Sequence, residues 1–222
     1  MGVLKQGIFG GMSGRIGNRV YYMSRGKQMV RIVGRNVKPP TVKQLASRQQ
    51  MKVVIEFLRP ILAFIQMGFG IEAMQRNVFP HNVAIGYNKR NALTGEFPDT
   101  AIDYEKVLLS KGTLSGLRDV SVRLLGNEEE GLSLWFDWQV GAQEREWPRC
   151  NDQVMLMAYF PEEAQDYPAC YSVAGAKRQA GQDVLELPGY IAGKPMEVYI
   201  SVISEDRKEV ADSMYLGRIA AI

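Results

Sequence analysis

The chain has one histidine, two cysteines and, across its first 55 positions, no acidic residue at all. Each scarcity excludes something. A serine or cysteine nucleophile ordinarily needs an imidazole within hydrogen-bond reach, and His81 is the sole candidate, in the sequence F-P-H-N, where a capping or packing role at a helix start accounts for it. Cys150 and Cys170 lack C-x-x-C spacing and with one histidine make no zinc set. No leader with an apolar core precedes the first strand, so a reduced, cytoplasmic setting with both cysteines as thiols is expected, their pairing left open. Long apolar runs are also scarce. The best, Val53–Ile71, contains Glu56, Arg59 and Pro60, which are costly in hydrocarbon, so a buried helix is expected and no membrane span. No catalytic, metal or cofactor site is expected, and the protein is read as a non-enzyme.

What is present is a charge division. Residues 1–55 hold 11 basic residues, residues 56–112 hold 6 of each sign, and residues 113–222 carry a net −8, giving +3 overall. A basic head on an acidic body calls for an anionic partner. That partner is either nucleic acid or the acidic part of another copy.

Hydrophobic periodicity organises the chain. Gly14–Met23 and Lys27–Gly34 read as two strands joined by Ser24-Arg25-Gly26, with Gly26 able to take positive φ. After Pro39-Pro40, Thr41 with Gln44 forms a capping-box pattern ahead of an apolar stripe from Leu45 to Ile65. Pro60 lies inside that stripe and is expected to kink or split the helix near Arg59. Glu72–Asn77 and Asn82–Ala92 read as shorter helices and Ile102–Ser110 as a strand. From Thr113 the rhythm is all-β, with candidate strands at Val120–Leu125, Leu132–Gln139, Gln153–Phe160, Tyr171–Lys177, Val184–Leu187, Pro195–Ile203 and Ser213–Ala220. Seven short strands in this length suggest an immunoglobulin-like sandwich. The expectation is an α+β protein: a hairpin-and-helix module over 1–112, then a β-sandwich over 113–222.

Two resemblances bear on this. The segment L-P-G-Y-I-A-G-K-P-M-E-V-Y-I-S-V, Leu187 to Val202, is similar to the corner into the sixth strand of fibronectin type III modules, although Met196 stands where those modules place a tyrosine. The hairpin G-G-M-S-G-R-I-G-N-R-V-Y-Y, the helix start P-P-T-V-K-Q-L-A-S-R-Q-Q and the closing D-S-M-Y-L-G-R-I together resemble an uncharacterised bacterial domain family. That resemblance implies the layout over nearly the whole chain and no chemistry.

Other candidates have plainer readings. The glycines Gly7, Gly10, Gly11, Gly14 and Gly17 run into a strand with no acid downstream before Glu56, which is not a dinucleotide fingerprint. Glu128-Glu129-Glu130 reads as a solvated loop. Among the tryptophans, Trp138 falls on a core face and Trp147, in E-W-P-R, is the candidate exposed aromatic. The strongest signal is the basic hairpin, with Arg15, Arg19, Tyr21, Arg25, Lys27, Arg31 and Arg35 as candidate interaction residues. The expected role is self-assembly into a homo-oligomer or filament, through the hairpin edge and opposed charged surfaces. The alternative is a nucleic-acid-binding hairpin, since β-ribbons can enter a groove of DNA with arginines on phosphates.

Overall fold

A computed structural model of the 222-residue chain describes residues 3–4, 11–34, 38–127, 131–162, 168–191 and 193–219. Gly7, Gly10, Arg35 and the Glu128–Glu130 run lie outside the described residues. The chain divides into two compact units, Met1–Val42 and Lys43–Ile222.

The first unit is an antiparallel meander, β1 (Val3–Leu4), β2 (Met12–Ile16), β3 (Arg19–Ser24) and β4 (Lys27–Ile32), in sequential order. The stretch expected as one strand, Gly14–Met23, is two. Gly17 adopts φ +57°, a left-handed value that glycine takes without a Cβ penalty, and the chain reverses there. The second reversal is the expected one: Ser24 pairs with Lys27, and Arg25 and Gly26 have φ of +51° and +72°, as a two-residue hairpin turn requires.

The second unit opens with α1 (Val42–Leu58), beginning directly after Thr41. At Pro60 the α-helix gives way to a 3₁₀ turn over Arg59–Ile61, as the missing amide dictates, and resumes as α2 (Leu62–Gly68). There follow α3 (Gly70–Gln75) and α4 (Pro80–Asn91), which has proline in its first turn. A two-residue ribbon joins β5 (Leu93–Thr94) to β6 (Ala101–Ile102).

The expected strand Ile102–Ser110 is largely absent. Val107 and Leu109 are buried, but side chains satisfy the local backbone where a ladder would otherwise do so. Leu108 N–H donates to Asn88 Oδ1 at 2.9 Å and Leu109 N–H to Ser213 Oγ at 2.8 Å. Buried Asn88 also donates to the carbonyls of Leu108 (2.9 Å) and Ala84 (3.0 Å), so its amide behaves like a strand neighbour.

Six of the seven strands expected after Thr113 form within a few residues of their expected bounds, and the one expected at Tyr171–Lys177 lies earlier, at Ala169–Ser172. They are β7 (Arg118–Asn127), β8 (Gly131–Gln139), β9 (Gln153–Tyr159), β10 (Ala169–Ser172), β11 (Gln182–Leu187), β12 (Met196–Ile203) and β13 (Met214–Ile219). They make one sheet in the order β11-β8-β7 and another in the order β10-β9-β12-β13, antiparallel throughout. Leu134, Phe136 and Trp138 of β8 share a core with Val154 and Leu156 of β9 and Val198 and Ile200 of β12, which makes a β-sandwich.

The four-stranded sheet is covered on its other face as well. Met155, Met157 and Tyr159 of β9 and Tyr199 and Ile203 of β12 pack with Val54, Phe57, Ile61, Phe64 and Ile65 of the helices. Every residue of β12 is buried. The result is a three-layer, α+β unit of helices, sheet and sheet, and the compact division falls at 42/43 where periodicity suggested 112/113. Helices and sandwich share the four-stranded sheet, which has a core on each face, so both belong to one compact unit. Gly68 registers the closeness: a Cβ there would overlap the Leu109 carbonyl and Ser110.

Candidate interaction surface

Directly paired residues of an antiparallel sheet point to the same face, so the registers of the first unit sort its side chains. Gly14 pairs with Tyr21 and Tyr21 with Val30; Ile16 pairs with Arg19 and Arg19 with Ile32. One face therefore carries Met12, Ile16, Tyr21, Met23, Val30 and Ile32, with Arg19 as its one charge. Gln28 shares this face and donates to the Met12 carbonyl at 2.7 Å. Arg15 pairs with Val20 and Val20 with Arg31, so the opposite face carries Arg15, Lys27 and Arg31 around Val20, Tyr22 and Met29.

Among the described residues, neither face is covered. No described residue of 11–34 is buried, and all of β4 is exposed. On the apolar face Ile32 is 69% exposed, Met23 58% and Val30 54%. Arg15, Arg19, Arg25, Lys27 and Arg31 are exposed, and residues 11–34 contain no carboxylate. Arg15 Nε donates to the Gly17 carbonyl, an acceptor without charge. Arg15 and Arg31 flank Val20 from both sides on one face, a like-charge arrangement that an anion would relieve. Of the predicted site residues, Arg15, Lys27 and Arg31 share a face, Arg19 and Tyr21 lie on the other, and Arg25 occupies the turn. Alternation along Lys27–Gly34 separates Val30 and Ile32 from Met29 and Arg31, and the register across strands extends that division to the whole sheet.

The remaining candidates have settled places. Trp138 is buried, its indole N–H donating to the Arg178 carbonyl at 2.7 Å, while Trp147 is 79% exposed. His81 stacks on Phe79 with ring centroids 5.7 Å apart. Both cysteines are free, and burial raises the Cys170 thiol pKa.

One polar cluster carried no sequence signal. Arg178 is completely buried and meets Asp152 Oδ2 at 3.2 Å and Glu144 Oε1 at 3.9 Å, both acids also buried. Its guanidinium also donates to the Ser115 and Gly116 carbonyls, pinning the approach to β7, while its Nε has no partner. Burial raises the Asp152 pKa despite the pull of Arg178 and Arg149, and burial lowers that of Arg178. Desolvation wins on both partners, as is common for interior ion pairs. The cluster reads as a structural clasp.

Fold and surface together define a three-layer α+β unit preceded by an open, basic four-stranded sheet. A family profile described as a family of unknown function, DUF6266, matches residues 11–217, so the chain belongs to that family. No curated protein and no solved structure matches it. Among the described residues no helix is long and apolar enough to cross a membrane.

Proposed function

We propose that this is a non-enzymatic structural protein that self-associates through its N-terminal sheet. One observation carries the reading: the sheet has a continuous apolar face, and residues 11–34, which hold β2 to β4, include no buried residue. A sheet of this size gains independent stability only when its apolar face is packed, and contiguous exposed apolar surface marks an interaction site. Another copy supplies the cover. The free edge of β4 offers a template for strand addition, and the net −8 of residues 113–222 offers the basic face a counterpart. Contact between unlike surfaces builds rings or filaments. The free thiols support a reducing, cytoplasmic setting, and the three-plus-four strand arrangement supports kinship with fibronectin type III modules.

Sedimentation velocity on the full chain at low and moderate salt tests the assembly. Concentration-dependent, salt-sensitive growth is expected, and a monomer indifferent to both variables would sink the proposal.

The basic face favours a second reading, nucleic-acid binding, because Arg15, Lys27 and Arg31 converge there with Tyr22 beside them. It requires a mobility shift at about 50 mM salt that weakens steeply as salt rises through counterion release. Absence of any shift removes it.

A further inference from the structure

The helical layer of the second unit carries an open groove of about 510 Å³. Met51, Ile55, Leu58 and Leu62 recur at i, i+4, i+7 and i+11 along α1 and α2 and form one wall. This stripe lies beside the one that enters the core through Val54, Phe57 and Ile61 and meets it at Leu58, which is buried. Ile85 and Gly86 of α4 form the other wall. Met51, Ile55 and Leu62 are each about two-fifths exposed although they border the core. Lys89 Nζ donates to Ser47 Oγ at 2.9 Å, which sets the C-terminal end of α4 beside the N-terminal half of α1. Lys89 thus closes one end of the groove, and Arg59 and His81 close the other.

The chemistry of the lining selects an occupant. The walls are helices whose main-chain groups are bonded internally, so they offer an extended peptide no ladder partners. The floor is apolar, and every charged lining residue is a cation. A volume in the range of small-ligand sites, an apolar floor and a few polar groups at the rim are the marks of a site for a small amphiphile. Lys89 already has a hydroxyl acceptor. Arg59 is exposed and has no ion-pair partner among the described residues. We propose that the groove binds a long-chain carboxylate, with its acyl chain over Ile55, Leu58, Leu62 and Ile85 and its carboxylate on Arg59. Every residue invoked belongs to the second unit, so this proposal stands or falls apart from the assembly reading.

The test uses the delipidated full chain, cis-parinaric acid as fluorescent probe and myristate as competitor, with native mass spectrometry for stoichiometry. Saturable binding of one probe, displaced by myristate, is expected. Arg59→Glu reverses an exposed charge and should raise Kd roughly tenfold. Ile55→Trp fills the groove and should abolish binding. Both positions are exposed, so both variants should retain the parent's circular dichroism and Tm. Methyl myristate, of equal length and no charge, should compete more weakly by a similar factor. The proposal is overturned if the probe does not saturate, if the folded variants bind like the parent, if the methyl ester competes as well as the acid, or if an acidic amphipathic peptide displaces the probe where myristate does not.

Discussion

Replacing Arg178 by methionine removes the guanidinium and leaves its surroundings in place. The backbone N–H of residue 178 still donates to the Asp152 carbonyl at 2.7 Å, and its carbonyl still accepts from Trp138, so the substitution isolates the side chain. What is lost is the pairing with Asp152, the longer contact with Glu144, and the donors to Ser115 and Gly116. Glu144, at 4% exposure, loses its contact with Arg178, and Asp152, at 1%, keeps only the longer 3.9 Å contact with the half-buried Arg149. Removing one partner of a buried pair costs about 3–5 kcal/mol. In a unit of this size each kcal/mol lowers Tm by about 2–4 °C, so the expected fall is roughly 6–20 °C. Part of the loss should return in Arg178→Met with Asp152→Leu, which removes the orphaned acid as well. Arg178→Lys should fall between, because an ammonium keeps the charge but cannot fork to a carboxylate and two carbonyls. Calorimetry and urea titration followed by circular dichroism measure all three. If Arg178→Met melts within about 2 °C of the parent, the cluster is no clasp and the reasoning fails.

Other outcomes follow from the same structure. Val30→Lys with Ile32→Lys places two charges on the apolar sheet face; sedimentation velocity should show weaker association with the second unit's melting unchanged, and equal association would remove that face from the interface. Asn88→Ala strips three hydrogen bonds from a buried site and should cost about 1–3 kcal/mol in urea unfolding; an unchanged midpoint would show that water replaces the amide. The raised pKa of Asp152 means the native state holds this proton more tightly than the unfolded chain, so its contribution is full below about 3.9 and is lost as pH rises through the folded value. The penalty for ionising Asp152 is then present at neutral pH, and the stability gap between parent and Asp152→Asn should change as pH falls below 7 toward 4; parallel curves in pH-resolved unfolding would contradict this. Burial likewise slows thiolate formation at Cys170, so its iodoacetamide labelling at neutral pH, followed by mass spectrometry, should lag that of an unstructured peptide thiol and accelerate as pH rises.

Much of the architecture is written in local pattern. Pro60 breaks the long helix where a missing amide must break it, Arg25-Gly26 turns the hairpin, and alternation in Leu132–Trp138 marks a strand with one buried face. Most of the sandwich strands fall where such short-range rules put them. The strand expected at Ile102–Ser110 failed for a long-range reason, since the partners of that backbone are Asn88 and Ser213, distant in sequence.

The layering also depended on distance along the chain. The runs V-M-L-M-A-Y-F and M-E-V-Y-I-S-V-I are close to continuously apolar, and such runs mark strands covered on both faces. The expectation of a sandwich standing apart over 113–222 took no account of that second cover, which the helices supply. At the candidate surface, Arg15, Arg19, Lys27 and Arg31 lie exposed on strands and Arg25 in the turn between β3 and β4, with Arg35 outside the described residues.

By itself, then, the sequence determined the helices, most of the sandwich strands, the charge division and the Arg25-Gly26 turn, because capping, proline chemistry and side-chain alternation act within a few residues, while the reversal at Gly17 went unread. Tertiary structure alone decided three things: that the helices cover the second face of the sandwich's four-stranded sheet, that Arg178 meets Asp152 and Glu144 in the interior, and that the registers of the N-terminal sheet align the strands' alternation into one apolar and one basic face. Each depends on which residues pair or pack across long separations, and cross-strand register and packing place there what no local pattern encodes.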